Sequence, residues 1–74
     1  MLVVIEFQGA EDTSNTLTTG ARIEAICDAE WSASENGASL LFYTTDANAA
    51  QGVALTLDSD QKATFAAAVH VAGN

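Results

Sequence analysis

The stretch "SLLFYTT" (39–45) sets the tightest limit on the fold, because Leu40, Leu41, Phe42 and Tyr43 are four consecutive large apolar residues. A strand sends successive side chains to opposite faces. Such a run therefore places bulky apolar groups on both sides of a sheet, and something must cover each side. The preceding Asn36-Gly37 pair marks the start of the strand. Asn-Gly is the strongest short hairpin signal, since both central residues of a type I′ turn need positive φ. Pairing outward from that turn sets Ala33 opposite Leu40 and Trp31 opposite Phe42, an aromatic cross-strand pair. Leu41 and Tyr43 are then left on the other face.

The first arm of this hairpin lies within "ARIEAICDAEWSA" (21–33). Read with period two, Ile23, Ala25, Cys27, Ala29 and Trp31 face one way, and Arg22, Glu24, Asp28 and Glu30 the other. A helical stripe of Ile23, Ile26, Cys27 and Trp31 is the competing reading; the Asn-Gly signal favours the strand. Upstream, "LVVIEFQ" (2–8) is β-branched and aromatic, with Val3, Ile5 and Phe7 on one face. "GAEDTSNTLTTG" (9–20) is a polar loop, "DANAAQG" (46–52) another, and "VALTL" (53–57) a further strand. The end of the chain predicts a helix. Asp58 or Ser59 would cap it, Asp60 suits its positive end, and Gly73 stops it. Phe65, Ala68, Val69 and Ala72 form the stripe that would pack on the sheet, while Ala63, Ala66, Ala67 and Val71 leave its far side apolar as well.

The expected fold is therefore α+β. It is one domain, 1–74, with a small antiparallel β-sheet or open barrel of about four strands and one C-terminal helix. A core drawn from 74 residues rarely supplies more than roughly 3–5 kcal/mol without a disulfide, a metal or a partner. The single cysteine, Cys27, has no internal bridging partner, and one Cys with one His falls short of a zinc site. Association is the remaining source of stability. Leu41, Tyr43, Ala67 and Val71 are the residues expected at such an interface.

Charge narrows the partners. Ten acids face only Arg22 and Lys62, for a formal net charge of −8. Nucleic-acid phosphates and anionic membranes both require basic patches, so neither is an expected partner. An acidic surface keeps the chain soluble; it also suits a saline habitat or a module that occupies a basic site on another protein. In that alternative, Glu24, Asp28 and Glu30 would form the binding face. "MLVVIEFQGA" has no basic n-region and no apolar run approaches a membrane helix. The expected location is soluble, cytoplasmic or virion-associated.

Catalytic chemistry finds no constellation. His70 has neither an orienting acid nor a nucleophile at local spacing; it reads as a surface or interface histidine near a helix end. Cys27 sits beside Asp28 and near Glu30, which disfavour a thiolate, and reads as a buried inert thiol. "DSD" (58–60) and "AED" (10–12) cluster acids without the spacing of a calcium loop, and no phosphate loop, nucleophile elbow or dinucleotide fingerprint is present. No cofactor and no enzymatic activity are expected.

The order strand, polar loop, "ARIEAI", Asn-Gly hairpin, "VALTLDSD" and Ala-rich segment resembles small uncharacterised proteins of marine tailed phages. The resemblance spans most of the chain and carries no catalytic motif to transfer. It implies a compact β-rich unit with a role in virion assembly or a host-directed task. The sequence points to a self-associating structural or assembly subunit.

Overall fold

The computed structural model describes residues 2–14 and 16–70. Five strands, β1 (Val3–Ala10), β2 (Leu17–Cys27), β3 (Ala38–Thr45), β4 (Gln51–Leu57) and β5 (Ala63–Phe65), form one antiparallel sheet. Its order is β1-β2-β3-β4-β5, so every strand pairs with its neighbours in sequence. Two bulges interrupt the ladder. One leaves Gly20 unpaired opposite the Phe7/Gln8 step, and the other leaves Ala54 unpaired opposite Phe42/Tyr43.

Three connections use one device. Asp12 Oδ1 accepts hydrogen bonds from the amides of Ser14 (3.0 Å) and Thr16 (3.1 Å). Asp46 Oδ1 accepts from Asn48 (2.8 Å) and Ala50 (3.0 Å), and Asp58 Oδ1 from Asp60 (3.0 Å) and Lys62 (3.0 Å). In the last two the residue two positions before the next strand is left-handed, Ala49 at φ 64° and Gln61 at φ 62°. Their amides donate to the Asp46 and Asp58 carbonyls at 3.1 and 2.9 Å. This is the short hairpin connection in which a tight turn is followed by a left-handed residue, with an aspartate side chain tying down the amides that the turn leaves free.

The same device explains why the expected C-terminal helix is absent from the described residues. Asp58 does accept the amides that an N-cap would accept, but side-chain-to-backbone bonds of this type serve turns as readily as caps. With Gln61 left-handed, the chain reverses and β5 pairs with β4, Leu55 opposite Phe65 and Leu57 opposite Ala63. A helix of about a dozen residues is marginal on its own, whereas the edge of β4 offers backbone partners at once. Of the helical stripe, Phe65 is in a strand, Ala68 and Val69 lie in irregular chain, and Ala72 is outside the described residues. The α+β expectation with four strands and a helix is thus corrected to an all-β sheet of five.

The β2–β3 hairpin also differs from expectation. Ile23 pairs with Phe42 and Ala25 with Leu40, so Ala33 and Trp31 are not their partners. β2 ends at Cys27, and residues 28–37 form a long connection. The Trp31 indole donates to the Gly37 carbonyl at 2.9 Å, and the Ser32 amide to the Glu35 carbonyl at 3.0 Å. Gly37 is not in a left-handed turn; its amide donates to the Glu35 side chain at 2.5 Å. A Cβ on it would lie 2.6 Å from Asp28 Oδ1 and 2.8 Å from Glu35 Oε1.

Among the described residues no helix covers either side of this sheet. Among the described residues no side chain is buried, apolar or polar. The Cα radius of gyration is 15.6 Å, against about 11 Å for a compact chain of this length.

Candidate association surface

Residues paired across strands share a face, so the register assigns the side chains. One face carries the row Val3, Ala25, Leu40, Leu57 and Ala63, and beside it Ile5, Ile23, Phe42, Leu55 and Phe65. Phe7, Ala21 and Thr44 extend it toward the bulges, and Cys27 with Ala38 toward the long connection. None of these residues is charged. Its outer members are the more open to water: Val3 is 56% exposed, Ile5 51%, Phe7 53% and Phe65 48%.

The opposite face is built around Arg22. Its guanidinium lies 3.8 Å from the centroid of the Tyr43 ring, its Nε is 2.8 Å from Glu24 Oε2, and it donates to the Gln51 side chain. Glu6 is directly opposite Arg22 on β1, and Gln8 donates to Thr19 Oγ1 at 3.2 Å. Val4, Leu41 and Val53 are interspersed among these polar groups. This face is mixed and partly self-satisfied, held together by a cation–π contact and an ion pair worth modest energies at such exposure.

All ten acids can be placed. Glu6 and Glu24 are on the Arg22 face. Glu11, Asp12 and Asp46 stand at one end of the sheet, in the β1–β2 and β3–β4 connections. Asp28, Glu30, Glu35, Asp58 and Asp60 stand at the other end. The Asp12 carboxyl is held below the usual carboxylate range, chiefly by its hydrogen bond from the Thr16 backbone amide. The apolar face receives no acid.

The residues expected at an interface fall in several places. Leu41 and Tyr43 are on the Arg22 face, Leu41 beside Glu24 and Thr56, and Tyr43 beneath the guanidinium. Ala67 borders a shallow depression of about 450 Å³ with Thr44, Asp46, Gly52 and Val53. Val71 lies outside the described residues. The expectation rested on a helix covering the Leu40/Phe42 side. Without it, that side is the open one. The alternative acidic site is also divided: Glu24 is on β2 and ion-paired, while Asp28 and Glu30 are in the connection that follows.

Cys27, expected to be buried, is exposed at the end of β2. His70 is exposed in irregular chain after β5 rather than at a helix end. Among the described residues no three His, Cys, Asp or Glu side chains gather as a metal site, and no helix is long and apolar enough to cross a membrane. What sequence reasoning missed is the continuity of the apolar face across β4 and β5. The signal for it was available in "DTSNT", "DANAA" and "DSDQK", each an aspartate five residues before a strand begins. Comparisons with protein-family models, curated proteins and solved structures return no match.

Proposed function

We propose that this chain is a non-enzymatic structural or assembly subunit that works by self-association, in a multi-copy setting such as a virion. The observation that carries the reading is the absence of any buried side chain among the described residues. A folded monomer of this mass exposes about 4,300 Å², whereas this chain exposes 5611 Å². The surplus exceeds the roughly 800 Å² that each partner buries in a standard protein interface. Stability must come from apolar burial, and among the described residues contact with another surface is what would complete it.

Sedimentation equilibrium from low-micromolar to millimolar concentration tests the proposal. A concentration-dependent rise to a defined oligomer is the expected result. A cooperatively melting monomer throughout that range overturns it.

A further inference from the structure

Resting on the self-association proposed above, we infer that two copies stack face to face through the Ile23–Phe42–Leu55 side of the sheet, forming a two-layer sandwich with the Arg22 faces outward. Electrostatics selects this arrangement. A chain of formal net charge −8 repels its own copies, and most routes of approach bring like charges together. Stacking the Arg22 faces would oppose Glu6 and Glu24 of each copy across the interface. Contact through either end of the sheet would oppose the aspartates of the connections. Only the face defined by Ile5, Ile23, Phe42, Leu55 and Phe65 carries no charge to desolvate and none to repel.

The occupant is a second copy because the same uncharged face supplies the complementary surface. Two antiparallel sheets with apolar inner faces pack about 10 Å apart with their strands roughly 30° askew, and their side chains interdigitate. The same patch on both chains is what a twofold, self-complementary contact requires. The central row, Ile23, Phe42 and Leu55, is already half-buried within the single sheet, and Phe42 would be the anchor at the middle of the interface, where binding energy concentrates. The acids at the two ends of each sheet then ring the contact. Screening weakens their repulsion, so the association constant should rise with sodium chloride. A site built on acidic recognition of a basic partner would do the opposite.

The test uses neighbouring residues of β3 and β4 that point to opposite faces. Phe42→Glu should weaken association by about tenfold or more, and Leu41→Glu should leave it nearly unchanged, both read by sedimentation in low and high salt. If Phe42→Glu fails to fold, thiol protection decides instead. In a Cys27→Ser background, Leu55→Cys should lose reactivity toward a maleimide as protein concentration rises, while Thr56→Cys stays reactive. An oligomer that survives Phe42→Glu and protects Thr56→Cys would overturn the face-to-face arrangement while leaving self-association standing. A monomer at every concentration would overturn self-association itself. A monomer that floats with neutral phosphatidylcholine vesicles and protects Leu55→Cys only there would overturn both, assigning the face to lipid.

Discussion

Leu40 and Leu41 are the same residue type, one peptide apart, and they inhabit different environments. Leu40 looks across Ala25 and Leu57 in a row without a charge; Leu41 sits between Glu24 and Thr56. The contrast holds for Phe42, between Ile23 and Leu55, and Tyr43, stacked under Arg22. One face of β3 makes polar contacts within the chain, chiefly through Arg22, and the other is apolar. Hydrophobicity alone would rank the four residues together. The register separates them.

Four experiments sharpen that separation. The largest effect should come from Leu55→Asp, which places an unpaired charge at the centre of the apolar face. A buried unpaired charge costs about 3–5 kcal/mol, so the assembled form should lose most of its stability in urea titration. Thr56→Asp, on the Arg22 face, should cost less than about 1 kcal/mol in the same measurement. Next, raising salt from low to near-molar sodium chloride should tighten assembly, since the acids at the rim repel. Weaker association in salt would transfer the controlling contacts to the charged face.

A smaller effect is expected from Arg22→Ala, which removes the cation–π contact and the Glu24 ion pair. With side-chain exposures of 25% and 15% for this pair, the loss should be about 1 kcal/mol, read as a lower urea midpoint with the oligomeric state unchanged. The smallest concerns Asp12. Its folded-state pKa is lowered, so its contribution is fully present above the ordinary carboxylate pKa of about 3.9 and is lost as pH falls through the depressed value. Acid titration followed by amide NMR should therefore move the Ser14 and Thr16 signals only at the acid end. Asp12→Asn should flatten that response.

Much of the strand content was legible. The period-two pattern of Val3, Ile5 and Phe7 placed one face of β1. Ile23, Ala25 and Cys27 did the same for β2, and "SLLFYTT" marked β3. Two signals misled, each for a physical reason. Asn36-Gly37 suggested a two-residue turn, but it lies at the end of the long 28–37 connection and Gly37 is not left-handed. Asp58 suggested a helix cap, yet the amides it binds belong to a turn closed by a left-handed Gln61. Side-chain capping chemistry is common to both structures. What decides between them is a tertiary partner, here the free edge of β4, and local sequence does not encode that partner. The expected interface residues rested on the same helix. Leu41 and Tyr43 followed from a helix on the opposite side, and the covering element is absent from the described chain.

The strictly sequential strand order carries a kinetic consequence. Every hairpin joins neighbours in sequence, so closing each one costs little loop entropy and should take microseconds. Among the described residues no side chain is buried, so those closures gain little apolar burial. Under the self-association proposed above, the slow step is the encounter of two chains rather than any search within one. Refolding should follow a second-order rate law, and the melting temperature should climb with protein concentration.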